Sequence, residues 1–270
     1  MSVTLPVGQL LREWRQRRRM SQLDLALEAE ISSRHLSFVE TGRSRPSRDM
    51  VLHLAEQLDV PLRARNALLT AAGYARAFAE RPLDDPALKA ARVAIDLVLR
   101  GHEPYPALLV DGGWSLVAAN AAVGRLLQGA DAKLLEPPVN VLRLALHPDG
   151  IARRIANLAE WREHLLSRLK REIEVTADPG LAALMAELAA YPTPEGRVVD
   201  ALPDATDYGG VVVPLRLISD DGLLNFFSTT TVFGTPMDVT LSELALEAFF
   251  PADAATAESL RRMAGRGGAI

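Results

Sequence analysis

Between residues 7 and 73 apolar side chains recur three and four positions apart, the spacing that lines one face of a helix. Val7, Leu10, Leu11 and Trp14 mark the first such face, which runs into the basic string Arg15-Gln16-Arg17-Arg18-Arg19. Ser21 with Asp24 three positions on is close to a capping box and opens a second helix through Leu25, Ala26 and Ala29. A three-residue turn, Glu30-Ile31-Ser32, precedes a third helix that Ser32 caps, whose buried side is Leu36 and Val39 and which Gly42 ends. Pro46 and Ser47 start a fourth helix with Val51, Leu54, Ala55 and Leu58 on one stripe, and a fifth runs from Pro61 to about Ala72, stopped by Gly73.

The periodicity lapses over residues 74–87, which contain two prolines and read as a linker whose first half can still extend a helix. One more helix, "LKAARVAIDLVL", follows it, and then the pattern changes. "PALLVDGGWSLVAAN" is two apolar runs around Asp111-Gly112-Gly113, a hairpin signal, with Asn120 placed to cap a helix reaching Leu127. Long helices are predicted over residues 149–174 and 178–190, the second capped by Asp178 with Pro179 at its first position. "GGVVVPLRLIS" and "LLNFFSTTTVF" flank the turn Asp220-Asp221-Gly222 as strands. "LSELALEAFFP" fits a further strand, and a short helix nearly as well. The glycine-rich residues 265–270 read as a disordered tail. The organisation predicted is a helical domain over 1–73, a linker over 74–87 and a mixed domain over 88–264.

Composition narrows the class. The 270 residues, about half apolar and a quarter charged, are those of a soluble globular protein of two domains. The absence of cysteine removes disulfides, thiolate metal sites and a cysteine nucleophile, and fits a cytoplasmic protein. Arg12 interrupts the apolar start before a signal-peptide core can form, and no apolar run approaches the ~18 residues of a membrane span, so no membrane role is expected. The net charge of −4 hides an asymmetry: residues 1–73 carry 11 arginines against 8 acidic residues, a net of +3, which leaves −7 for the rest. Contact with nucleic acid is therefore expected in the first domain.

Two helices joined by a three-residue turn, the second short and polar on its outer face, form the pattern of a helix-turn-helix. A helix entering the major groove offers its first residues to base edges, so Ser33, Arg34, Ser37 and Phe38 are the candidate readers, with Arg34 suited to guanine and Phe38 to a thymine methyl. Gln22, Arg43 and Arg45 suit phosphates, and Ser32, His35 and Ser47 complete the candidate DNA-binding set. "SQLDLALEAEISSRHLSFVETGRSRPS" resembles the lambda-repressor-like domains of the XRE family, in the spacing of Ser21-Gln22, Ala26, Ile31, Glu40-x-Gly42 and Pro46-Ser47. Glu30 departs from that family, where a glycine is common in the turn. The resemblance implies an all-α N-terminal domain that binds double-stranded DNA, here expected as a homodimer on an inverted repeat.

Beyond residue 90, "DGGWSLVAAN" resembles the opening of a PAS-like sensor fold. "HEPYPALLVD", "NVLRLALHPDGIARRIANLAEWREHLLSRLKRE", "FFSTTTVFGTPMDVTLSEL" and "FFPADAAT" together resemble the ligand-binding domain of MmyB-like transcription regulators. That family joins this domain to an XRE-type helix-turn-helix in the same order. The resemblance implies an α+β PAS-like domain around an apolar cavity, suited to a small amphipathic ligand such as a fatty acid. Asn140, Arg143 and His147 are candidates for its polar end, with a structural ion pair an equal reading for Arg143. Trp161, Leu165 and Leu169 at helical spacing, and Phe227, Thr229 and Thr231 on one strand face, are candidates for its walls, with ordinary core the competing reading.

Enzyme classes lack their marks: there is no GxSxG, GxxxxGK or HExxH, and the five histidines are scattered, so neither catalysis, metal nor cofactor is expected. Two rivals remain, a regulator whose second domain only dimerises and an enzyme carrying a helix-turn-helix. A side-chain-filled cavity would mark the first, a cluster of perturbed acids or histidines in an open cleft the second.

Overall fold

Side-chain caps set the boundaries of the N-terminal helices in the computed structural model, which describes residues 5–192, 213–233 and 238–266. The elements of the first unit are α1 (Val7–Arg17), α2 (Gln22–Glu28), α3 (Ser33–Glu40), α4 (Arg48–Gln57) and α5 (Leu62–Ala71). Ser21 and Asp24 form a complete capping box on α2, Asp24 N donating to Ser21 Oγ at 3.1 Å and Ser21 N to Asp24 Oδ2 at 2.8 Å. Ser32 Oγ accepts from His35 N on α3, and Ser47 Oγ from Met50 N on α4. Caps of this kind stabilise a helix by about 1 kcal/mol each. In the turn between α2 and α3, Glu30 adopts the left-handed φ of 52° that the missing glycine would take without strain.

Leu11, Leu25, Leu36, Val39, Val51, Leu54, Leu58, Leu68 and Leu69 form the core of this unit, all essentially inaccessible to solvent. Burying each side chain is worth about 1.5–3 kcal/mol. Gly8 on α1 lies against the end of α3, where a Cβ would sit 2.2 Å from the carbonyl oxygen of Val39, so only glycine permits the approach. Arg15 and Glu40 make a buried ion pair, Nε–Oε1 2.6 Å and Nη2–Oε2 2.9 Å. The first half of the stretch read as a linker is held to α5: buried Asn66 accepts from Ala77 N and Phe78 N and donates to Phe78 O.

Beyond Arg81 come a 3-10 turn at Pro86–Leu88 and α6 (Lys89–Gly101), then β1 (Ala107–Val110), β2 (Leu116–Ala119), α7 (Ala121–Leu126), α8 (Val141–Leu146), α9 (Leu158–Thr176) and α10 (Pro179–Ala190). β3 (Leu215–Ser219), β4 (Gly222–Val232), α11 (Val239–Ser242), β5 (Ala245–Pro251) and α12 (Ala254–Arg266) follow among the described residues. The five strands form one antiparallel sheet in the order β2-β1-β5-β4-β3, with Leu109 opposite Leu246 and Phe227 opposite Phe250. Helices and this sheet together make an α+β second domain. By contacts the chain divides into Met1–Arg81 with Glu172–Ala177 and Pro236–Ser242, and the remainder. Among the described residues no helix is long and apolar enough to cross a membrane.

The hairpin expected at residues 106–120 is present, its turn set by Asp111 Oδ1 accepting from Gly113 N and Ser115 N. Asn120 stands at the N-cap position of α7, but its side chain ties Ala107 N, Leu99 O and Tyr105 O together instead of capping. The helix predicted from 149 starts at Leu158, because residues 151–157 form a 3-10 turn and pair with β3 through Ile155 and Leu217. "LSELALEAFFP" divides between both of its readings, the end of α11 and then β5. α12 reaches into the stretch read as a tail, while 267–270 and residues 209–212 of the predicted strand lie outside the described residues.

Candidate nucleic-acid interface and ligand cavity

Leu36 and Val39 turn inward on α3, which leaves Ser33 and Arg34 on its exposed first turn and Ser37 and Phe38 half-buried one turn on. Arg34 and exposed Arg43 flank Phe38, their guanidinium carbons 5.4 and 5.8 Å from its ring centre. Phe38 is therefore less open than the helix period alone implied, and it holds two arginines beside one another on the outer face. Arg45 is occupied within the unit: Nη2 donates to Ala72 O at 2.9 Å and its guanidinium stands over Tyr74. Gln22 Nε2 donates to Glu40 Oε2 at 2.7 Å, joining the buried Arg15–Glu40 pair. Ser32 and Ser47 cap helices, and His35 is half-buried beside its neighbours on α3. Six of the ten candidates, Ser33, Arg34, His35, Ser37, Phe38 and Arg43, thus form the outer face, while the other four side chains have partners inside the unit.

In the second unit a cavity of about 100 Å³ lies between the sheet and the helices α7, α8 and α9. Leu108, Leu116, Val123, Leu142, Leu144 and Leu165 supply much of its apolar wall, with Trp114 and Trp161 as the aromatic faces. Its polar members are His164, Arg168, Ser228 and Glu247. Arg168 on α9 and Glu247 on β5 bond through Nη2–Oε1 at 2.5 Å and Nη1–Oε2 at 3.0 Å. Thr230 Oγ1 also donates to Glu247 Oε1, and the Arg168 guanidinium carbon stands 4.6 Å from the Trp114 ring centre. A carboxylate this deeply buried is stable only when paired and hydrogen-bonded, and here it is both. His164 stacks on Trp161 with ring centres 5.3 Å apart. Burial, helped by Arg168 and Arg171, holds its pKa below the ordinary histidine value against the opposing pull of Glu247 and Glu160.

Only two of the nine predicted ligand contacts, Trp161 and Leu165, line this cavity. Leu169 is fully buried core. Phe227, Thr229 and Thr231 are on the opposite face of β4, with Phe227 stacked on Phe250 and the threonines exposed, because the strand's phase is one residue from the one expected. Ser228 faces the cavity, and Thr230 shares its phase. The sequence "NFFSTTT" carries a phenylalanine in each phase, so alternation alone did not choose between them.

The expected polar end lies elsewhere too. Asn140 and Arg143 line a second, more polar pocket of about 220 Å³ with Ser115, Asp178 and Gly180. Asn140 caps α8, accepting from Leu142 N and Arg143 N. Arg143 makes a two-bond pair with Glu187 at 2.8 and 2.7 Å, and Tyr191 Oη donates to the same carboxylate. The Arg143 guanidinium and the Tyr191 hydroxyl draw Glu187 down to about 2, while burial and the Glu187 charge push Tyr191 up to about 12. His147 lines neither pocket; its ring meets Tyr191 edge-on and Nδ1 accepts from Asp149 N.

The residues missed, His164, Arg168 and Glu247, carried a signal. His164 and Arg168 lie three positions after Trp161 and Leu165, on the same helical face, and Glu247 interrupts an apolar strand. A charge placed on an apolar face calls for a partner, and these two supply each other's. Among the described residues no cluster of three or more metal-ligating side chains is present.

Comparison with known proteins agrees with this division. A helix-turn-helix family matches residues 11–64 and the MmyB-like transcription regulator ligand binding domain matches residues 91–263, nearly two thirds of the chain. No curated protein matches. A solved structure of an RNA-binding Light-Oxygen-Voltage receptor is 14% identical over 95% of this chain, which spans 62% of that chain's length, at a TM-score of 0.28. At that similarity it bears on neither unit. With a helix-turn-helix presenting Arg34 and Arg43 ahead of a domain walled around a cavity, the chain belongs to the family of MmyB-like transcription regulators, as a DNA-binding regulator with a ligand-binding domain.

Proposed function

We propose that the protein is a cytoplasmic, XRE-type regulator without catalytic activity, which binds an inverted-repeat operator as a homodimer and whose second unit senses a small, mainly apolar molecule such as a fatty acid. The observation that supports sensing is the cavity itself, apolar over most of its wall and polar at the Arg168–Glu247 pair. An apolar body and one polar group are what such a wall accommodates. At about 100 Å³ the cavity is below the usual size of a small-molecule site, so ligands beyond a few carbon atoms require the aliphatic walls to shift. Specific DNA binding as a homodimer is supported by the small outer face of α3, since one such face makes too few contacts to discriminate alone and two-fold dimers set two of them ~34–36 Å apart.

The small cavity also favours a second reading, in which the C-terminal unit serves only to pair two chains. Native mass spectrometry of the purified protein separates the two. A retained small molecule of apolar character supports sensing; a dimer that carries none, and takes up none from a panel of medium-chain fatty acids, supports the second reading.

A further inference from the structure

Besides the two tryptophans, the polar side chains lining the cavity of the second unit fall into two kinds. Arg168 and Glu247 are engaged with each other through Nη1–Oε2 at 3.0 Å and Nη2–Oε1 at 2.5 Å, and Thr230 Oγ1 donates to the same carboxylate. The pair is neutral as a unit, so neither charge is left over for an occupant. His164, one turn before Arg168 on α9, and Ser228, two residues before Thr230 on β4, differ. Neither side chain has a hydrogen-bond partner among the described residues. Every side-chain nitrogen or oxygen there that is shut away from solvent does have one, so the polar atoms of these two stay open to a molecule in the cavity. His164 stacks on Trp161, which fixes the plane of its ring without using either nitrogen. The charged groups around it are Glu160, Arg168 and Arg171 on its own helix and Glu247 on β5. Burial and the two arginines outweigh the two carboxylates and hold the ring neutral at about pH 7. A neutral imidazole offers one donor and one acceptor, and a serine hydroxyl can act as either.

We infer that His164 and Ser228 select an apolar ligand with an uncharged head that both gives and takes a hydrogen bond, in its simplest form a hydroxyl. The distribution of charge in the cavity excludes the alternatives. A carboxylate would stand near Glu247 while its natural counter-charge, Arg168, is already held in two places. An ammonium would meet Arg168 with Glu247 likewise engaged. Either ion would leave water for a mainly apolar wall without a counter-charge of its own, which is costly. A hydroxyl carries no such cost and answers either open side chain, as donor or as acceptor. A carboxylic acid meets the same rule only in its protonated form.

This head-group selectivity rests on the sensing proposed above and can fail separately from it. The test is calorimetric titration of the full chain at about pH 7.5 with four five-carbon probes that differ in the head alone: pentan-1-ol, 1-fluoropentane, pentanoate and pentylammonium. The short chain suits a cavity of about 100 Å³, and loss of binding in Ala145→Phe, which places a ring in the wall, locates the probe there. Pentan-1-ol is expected to bind tenfold or more tighter than either ion, and roughly threefold or more tighter than 1-fluoropentane. His164→Phe keeps a ring against Trp161, and Ser228→Ala removes only the hydroxyl. Each is expected to weaken pentan-1-ol and to leave 1-fluoropentane within about twofold of wild type, which also shows that the cavity is intact. Either ion binding as tightly as pentan-1-ol would overturn the selectivity while sparing sensing, and so would 1-fluoropentane doing so. Pentan-1-ol bound equally by wild type and both variants would remove His164 and Ser228 as the selecting groups. A cavity that takes none of the four at up to ~10 mM would overturn the selectivity as well, and sensing then falls only if the protein also refuses the fatty acids above.

Discussion

Arg168 on α9 and Glu247 on β5 hold each other through two hydrogen bonds, 2.5 and 3.0 Å long, across the polar end of the cavity in the second unit. The pair links helix to sheet where the apolar wall is interrupted, and it gives Glu247, 4% exposed, its charge partner.

Arg168→Leu leaves the Glu247 carboxylate with only the Thr230 hydroxyl for support. The expected loss is about 3 kcal/mol of unfolding free energy, read from urea denaturation. Replacing both residues with leucine is expected to cost less than the single change, since no buried charge is then left unpaired. A double variant as unstable as the sum of the singles would show that the two side chains act independently.

The acid side of the stability profile has two separable steps. His164 has a folded pKa below its ordinary value, so the unfolded chain takes up a proton first as pH falls. Its contribution is complete above the ordinary histidine pKa of about 6.5 and is lost as pH drops below it. His164→Gln should flatten the profile there. Glu187, held at about 2 against a usual 4.5, contributes above 4.5 and loses that contribution as pH falls towards 2. Glu187→Gln should alter this lower window and leave the His164 step unchanged, as followed by thermal melts against pH.

On α3, removal of Arg34 should weaken specific DNA binding by ~1–3 kcal/mol and relax preference at one base pair, while Arg43→Ala should weaken all sequences alike and lower the salt slope by about 1. Selection from a random-sequence library, repeated for each variant, distinguishes the two roles. An Arg34→Ala protein with an unaltered preferred sequence would remove it from the readers.

Glu40 is the hub of the first unit, bonded to Arg15 twice and to Gln22 once. Glu40→Ala leaves Arg15 buried without its charge partner, and the expected cost is about 3–5 kcal/mol of stability, measured on the full chain by chemical denaturation. Gln22→Ala, at the half-buried edge of the same network, should cost about 1 kcal/mol.

Where local chemistry decides the structure, the sequence was enough. The five N-terminal helices follow from Ser21, Ser32 and Ser47 as caps and from one apolar stripe per helix, and the hairpins follow from Asp111-Gly112-Gly113 and Asp220-Asp221-Gly222. Long-range pairing was out of reach. Nothing near Arg168 names Glu247, 79 positions away, and nothing near Arg143 names Glu187, so sequence leaves a ligand's polar end and a structural ion pair as equal readings for Arg143; the structure shows the ion pair, beside a different pocket. The face of β4 was misjudged for a local reason, because Phe226 and Phe227 give the two phases equal hydrophobic weight. Position alone suits Gln22 and Arg45 to phosphates, while the carboxylate and the carbonyl that also engage them lie 18 and 27 positions away.

Operator titration by fluorescence anisotropy, with and without a medium-chain fatty acid shown by calorimetry to bind, decides whether the second unit senses a ligand on behalf of the first. The comparison includes Ala145→Phe, which places a ring in the cavity wall. Ligand is predicted to change the wild-type operator affinity by ~5–150-fold and to leave Ala145→Phe, which no longer binds it, at the ligand-free value. Equal operator affinity in every condition, with ligand bound to the wild type, would show that the second unit does not control DNA binding.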